Sequence, residues 1–304
     1  MSEQLGGWID DQEAVEAVLS EMPKPLLSQA APEISGDGDK CLNLLYSNFK
    51  KLGIKYRPEK QLIGDCVGHG TAHAIDHLAV CEIANGEREE FKYRQSSEYI
   101  YGISRVQIGG GRIRGDGSVG AWAAKGIMKY GTVGRTKYPY GVDLTNYDPN
   151  RAKSWGKTGP PKTTITSGQE HIVEYTALCR SVKDVCDALA NDNPVNVCSN
   201  SGFTRVRDKY GLVKRSGNWA HSMCILGVDT EHKIPSVFIL NSWGPNYFSG
   251  PKRYEEDYVE GFWITLDDLE VMVKRNDTFA YAGFQGYKKK EIDTSTIGKY
   301  LNEN

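Results

Sequence analysis

The sequence predicts an α+β fold in two lobes, and three observations carry that expectation. Apolar residues recur at helical spacing through the first half, short branched or aromatic runs dominate the second, and a turn-rich passage at 155–168 (WGKTGPPKTTITSG) separates them. A chain of 304 residues is long enough to bury a sizeable core without a metal or disulfide to hold it. The expected divisions are an N-terminal arm at 1–44, a helical lobe at 45–154, a β-rich lobe at 155–287 and a polar tail at 288–304.

Within the arm, Asp10 to Leu19 spaces Ala14, Val15, Val18 and Leu19 on one side of a short helix that Pro23 and Pro25 stop. Cys41 to Leu52 carries apolar residues at 41, 44, 45, 49 and 52, which predicts an amphipathic helix ended by Gly53. Cys66 to Ala84 is a longer helical pattern entered from a glycine-punctuated loop and closed by Asn85-Gly86. Ser96 to Val106 and Ala121 to Tyr130 are further helices, with a flexible glycine loop at 108–117 between them. Past the turn-rich passage, Val195–Ser199, Met223–Asp229, Val237–Asn241 and Gly261–Thr265 read as strands, with helices at Val182–Ala190 and Leu266–Val273.

Composition excludes several classes. Lys plus Arg number 37 against 39 Asp plus Glu, so neither a basic nucleic-acid footprint nor an acidic tail is present. Apolar runs are short, as at Val237-Phe238-Ile239-Leu240, against the roughly 20 residues that span a bilayer. No nucleic-acid partner, membrane or cofactor is therefore expected. Met1 to Glu13 has no basic start and no apolar stretch, so no signal peptide is expected, and a cytoplasmic or virion-associated setting is. Seven cysteines, an odd number and with no Cys-x-x-Cys pair, then read as reduced thiols. Cys224 is expected in the core, and Cys179 and Cys186, seven apart, on one face of a helix.

One of those thiols stands apart. Cys66, in Gly64-Asp65-Cys66-Val67-Gly68, sits where a loop enters a helix, and helix N-termini lower a thiol's pKa. His221 opens an apolar strand in Trp219-Ala220-His221-Ser222-Met223, and Asn241-Ser242-Trp243-Gly244 ends another. The chain order Cys, His, Asn, with spacings of 155 and 20 residues, joins a nucleophile, a base and a group that orients the base.

In these residues the sequence resembles the papain family of cysteine peptidases. Asn-Ser-Trp-Gly is that family's asparagine motif as it stands, His221-Ser-Met with Leu226-Gly227-Val228 is similar to its histidine strand, and Gly64-Asp65-Cys66 to its nucleophile loop. Tyr130-Gly131 through Tyr138-Pro139-Tyr140 matches a weaker stretch, and the resemblance spans roughly residues 55–285. It implies a papain-like two-lobe fold, a barrel-like β lobe and a cleft between the lobes. It also implies an endopeptidase: Cys66 forms an acyl-enzyme on a peptide or protein substrate, His221 moves the proton, Asn241 orients the ring and Trp243 shields that hydrogen bond. The family's oxyanion glutamine stands six residues before the nucleophile; here Lys60 is six back and Gln61 five. Gln61 is expected in that role, with Lys60 supporting it by its charge. Gly117 and Ser118 are expected to wall the cleft and pair with an extended peptide.

A different register would put His69 at the nucleophile's place and make the chain an inactive papain-fold binding or structural protein, for instance within a viral particle; Cys66 is the better match. His69, His73 and His77 recur every four residues, a spacing that suits zinc, but they lack the His-Glu-x-x-His pattern and read as locally bonded. No metal site is expected. The arm is too short for the family's usual helical prodomain, which leaves a short inhibitory segment, a docking tail for an assembly partner, or neither.

Overall fold

The computed structural model describes residues 5–87, 90–137 and 141–285. The expected polar tail at 288–304 and Tyr138-Pro139-Tyr140 lie outside the described residues. The elements in chain order are α1 (Gln12–Ser20), α2 (Leu27–Ala30), β1 (Leu42–Leu44), α3 (Ser47–Lys51), α4 (Cys66–Ala84), α5 (Ser97–Gly102), α6 (Gly120–Tyr130), α7 (Pro149–Thr158), α8 (Lys162–Gly168), β2 (Val173–Leu178), α9 (Val182–Ala190), β3 (Val195–Phe203), β4 (Arg215–Asp229), β5 (Ser236–Leu240), β6 (Gly261–Thr265), α10 (Leu266–Val273) and β7 (Thr278–Phe284). A π-helical turn, Ile103–Ile108, continues α5.

Mixed helix and sheet give the α+β class. The sheet is antiparallel, in the order β2-β7-β3-β4-β5-β6, and it is open among the described residues. Alternation along its central strands explains how it is covered on both faces. Cys224, Leu226, Phe238 and Leu240 join one core cluster with Val67, Ile75 and Trp122, so that face receives α4 and α6. Met223, Ile225, Val237 and Ile239 join the other, with Val185 and Leu189 of α9 and Leu269 and Met272 of α10. Side chains two apart share a face, which is why these strands read as continuous apolar runs.

Three expectations are corrected here. Cys41 to Leu52 is not one helix: Leu42–Leu44 pairs with Gly227–Asp229 of β4, and only Ser47–Lys51 is helical. β3 leaves β4 at the Val195–Ile225 pair, so the edge beyond is open, and β1 satisfies it at the cost of helical periodicity. The passage at 155–168 is not a hinge; α7 runs through the boundary drawn at 154/155, and α8 follows. Asp148 caps α7 by accepting from Asn150 N, Pro149 opens it and Gly159 closes it. Cys179 and Cys186 are both buried, but Cys179 follows β2 and only Cys186 is helical.

The arm is packed into the body rather than trailing from it. Ala14, Val15 and Val18 of α1 and the indole of Trp8 are buried in the cluster that α6 also joins. Cys224 is buried in the core as expected from its position on β4.

Candidate active site

α4 begins at Cys66 and is buried along nearly its whole length. Its first N–H groups have no partner within the helix, and the backbone N–H groups of Cys66, Val67 and Ser222 all face the Cys66 sulfur. Ser222 is the residue after His221, so the thiol lies beside the middle of the histidine strand β4. Cys66 is fully buried, and burial outweighs those donors, pushing its thiol up to about 12.

His221 on β4 and Asn241 at the end of β5 meet directly: the ring's Nε2 lies 2.9 Å from Asn241 Oδ1. The same Oδ1 accepts the backbone N–H of Ser242 at 2.7 Å, which fixes it as the acceptor and leaves Nε2 as the protonated nitrogen. The lone pair is then on Nδ1, which is buried with no hydrogen-bond partner. Trp243 stacks on the imidazole at 4.4 Å between centroids and 25° between planes, covering the hydrogen bond from one side. Burial lowers the His221 pKa to about 4, against the Asn241 bond, which raises it; the charge of His69 lowers it further. Thiol high and imidazole low means that the proton stays on sulfur in this state.

Gln61 is tied to Ser242 of the Asn-Ser-Trp segment by its backbone N and its Oε1. Its backbone N donates to Ser242 O at 2.8 Å, its Oε1 accepts from Ser242 Oγ, and its Nε2 donates to Ile63 O at 2.9 Å and to Leu5 O at 3.1 Å. The one-residue-shorter spacing therefore still delivers the carboxamide beside Asn241 and Trp243. Lys60 is exposed, and its stem lies over Gly244. His69 faces the other way from Cys66's sulfur contacts: its Nε2 is 3.3 Å from Ser97 Oγ and 3.5 Å from Asp65 Oδ2, and its ring packs on Tyr147. His77 Nδ1 meets His73 O at 2.7 Å. The three histidines thus form a row along α4, His69 and His73 with ring centroids 6.2 Å apart and Tyr56 set against both His73 and His77.

Gly117 and Ser118 do line an extended segment, and that segment is the protein's own arm. Gly7 N and Trp8 N donate to Ala220 O, Ser118 N donates to Gly7 O at 2.8 Å, and Ile9 N donates to Ser118 O at 2.9 Å, a parallel pairing. Leu5 O accepts from both Gln61 Nε2 and Trp243 Nε1, the latter at 3.0 Å. The passage is tight. A Cβ on Gly7 would lie 2.2 Å from Gly64 O, and one on Gly6 would lie 2.9 Å from Ala220 O. Gly6-Gly7 is the sequence signal for this crossing, since only glycine lets two backbones approach so closely.

Comparison with solved structures follows this arrangement. Xylellain, a cysteine protease from Xylella fastidiosa, is similar over 93% of this chain and 97% of its own, at 18% identity and a TM-score of 0.57. Procathepsin B S9 from Trypanosoma congolense covers 93% of this chain and 87% of its own, at 15% identity and a TM-score of 0.52. The cysteine protease and lectin-like domains of Cwp84 from Clostridium difficile cover 78% of this chain and 51% of their own, at 13% identity and 0.53. The fold is that of the papain-like cysteine proteases. No protein-family model matches the sequence, and no curated protein does. The papain-like fold accounts for the two-lobe α+β layout, with α4 and the histidine strand facing each other. Among the described residues, no helix is long and apolar enough to cross a membrane.

The sequence offered the arm as an inhibitory segment without singling out residues 5–9, and it gave no sign of Asp277, whose carboxylate accepts the Trp8 indole N–H. Asp277 has no motif to mark it, and both gain meaning from contacts between distant parts of the chain, from 56 residues apart for Leu5 and Gln61 to 269 for Trp8 and Asp277.

Proposed function

We propose that this chain is a cysteine peptidase whose cleft is closed by its own N-terminal arm. The observation that carries the reading is the peptide already in place. A backbone segment runs along Ser118 and Ala220 with a carbonyl oxygen held by the Gln61 and Trp243 N–H groups, beside Cys66 and His221. A groove that grips five residues of main chain in this way fits a peptide substrate.

The chemistry follows from the pairings. With Nε2–H held by Asn241, His221 Nδ1 is the base that takes the Cys66 proton, and the thiolate is favoured by the N–H groups at the start of α4. Attack on a peptide carbonyl places negative charge on its oxygen, within reach of Gln61 Nε2 and the free N–H at the head of α4. The imidazolium returns its proton to the leaving amine. Water activated by the same ring then cleaves the thioester, releasing the acid and restoring the thiol. Lys60 adds positive charge near the mouth of the site.

In the closed state, burial holds thiol and imidazole neutral. Arm departure admits water, relieves both desolvation penalties and brings the two pKa values together. Turnover of a mixed peptide library by the full-length Gly7→Val chain, whose added side chain collides with Gly64 O, is the test. Hydrolysis at least tenfold above the unaltered chain, abolished by adding Cys66→Ala, is expected. Absence of hydrolysis by Gly7→Val would favour the inactive binding protein on the same fold.

A further inference from the structure

A second cavity, of about 440 Å³, lies between residues 111–116 and α7. Neither the arm nor Cys66, His221 or Gln61 lines it. Among the described residues, four of its lining side chains are cationic, Arg105, Arg114, Lys153 and Lys157, and one is acidic, Asp116. Asp116 offsets one charge at most, and its Oδ2 is shared with Gly64 N at 3.1 Å.

The positive charge is built into the cavity. Arg105 is 5% exposed, and its N–H donors go to the carbonyls of Ile113, Gly115, Gly117 and Gly156 and to the Tyr101 hydroxyl. Carbonyls satisfy its hydrogen bonds but do not cancel its charge, and a buried cation without a counter-charge is costly. Lys153 and Lys157 stand four apart on α7 and both reach the cavity. Like charges at that spacing repel each other. Among the described residues, none of these four cations forms an ion pair. Elsewhere in the same lobe the cations are matched: Arg135 and Arg151 both pair with Glu98.

We propose that this cavity is a binding site for a compact polyanion, a small molecule carrying two or more adjacent phosphate or carboxylate groups. Arg114 matches two oxygens of one group with its flat guanidinium, and each lysine acts as a point charge on another. The unmatched charge of Arg105 adds an attraction that salt screens little, because it is buried. Size agrees, since the volume is that of a small-molecule pocket rather than of a single ion. The site stands independently of the peptidase reading.

The test is calorimetric titration of the full-length chain with tripolyphosphate and, separately, with citrate, at low ionic strength. A Kd in the micromolar range is expected for at least one of them. Binding of tripolyphosphate alone assigns the site to phosphates, and binding of citrate alone assigns it to carboxylates; comparable binding of both leaves charge density as the selector. Lys153→Gln with Lys157→Gln is expected to weaken binding at least about tenfold, the size of lost charge-assisted hydrogen bonds. Lys209→Gln with Lys214→Gln, at exposed positions outside the cavity, is expected to change it by less than about threefold. Lys153 and Lys157 are exposed and glutamine is a good helix former, so that variant keeps the fold, as its melting curve will show. The bound anion should raise the melting temperature of the unaltered chain and not that of the Lys153→Gln, Lys157→Gln chain. It should also slow hydrogen exchange at residues 111–118. No binding of either anion at millimolar concentration overturns the proposal. So does equal weakening by the two pairs of substitutions, or binding that leaves exchange at 111–118 unchanged.

Discussion

A single acceptor atom organises His221. Asn241 Oδ1 takes both the Ser242 N–H and the His221 Nε2–H, so the tautomer is set before any substrate arrives. Removing that acceptor leaves a buried N–H unmet and frees the ring to turn. Asn241→Ala, in the arm-released Gly7→Val background, is expected to lower kcat by about 10–100-fold, from a loss of about 1–3 kcal/mol in hydrogen bonding. KM should change little and the thermal midpoint should fall by a few degrees for the stranded donors, as steady-state kinetics and a melting curve will show; an unaltered kcat would remove Asn241 from the mechanism. The residue identities of this group were readable in the sequence because Asn-Ser-Trp-Gly is contiguous and distinctive. Gln61 was less so, since its use depends on the loop to Cys66 being one residue shorter.

At the scale of elements, α4 presents the thiol and the segment after α5 presents the edge that pairs with the arm. Arg105, in the π-helical turn, spends its guanidinium on that edge: it donates to the carbonyls of Ile113, Gly115, Gly117 and Gly156 and to Tyr101 OH, while Gly117 N donates to the same Tyr101 oxygen. Three carbonyls of one loop, spaced two apart, are thus turned away from the cleft, which leaves Ser118 N and O for the segment it binds. Arg105→Ala strands those carbonyls, and a stability loss of about 3 kcal/mol in denaturant unfolding is expected. Faster hydrogen exchange confined to residues 111–118 should accompany it. A loss below 1 kcal/mol with unchanged exchange would show that the loop holds itself. Elements with a clean local signal, such as α4, α9, α10 and β6, have the bounds read from the sequence. β1, β2 and β7 do not, because each exists to satisfy a neighbour: Leu42–Leu44 fills the edge beyond β3, and β2 and β7 pair with each other. α7 was hidden by its proline, glycine and mostly polar residues, although Ala152 and Trp155 bury against the body.

For the molecule as a whole, the arm joins both lobes. Residues 5–9 touch Gln61, Ser118, Ala220 and Trp243, and α1 then anchors in the core against α6. Composition marked residues 1–44 as outside the body because they are polar and proline-broken; their place inside it depends on Gly6-Gly7 passing between Gly64 and Ala220, a dipeptide that signals a close crossing but not which backbones it meets. As proposed above, closure also sets the chemistry. While the arm is in place, burial holds the Cys66 thiol at about 12 and His221 at about 4, so the pair is uncharged at neutral pH. The rate of Cys66 alkylation against pH tests this most directly. In the unaltered chain it should be slow at pH 7 and still climbing at pH 10. In Gly7→Val it should be at least about tenfold faster at pH 7 and should fall back when His221→Ala is added. Identical profiles for the unaltered and Gly7→Val chains would contradict the account.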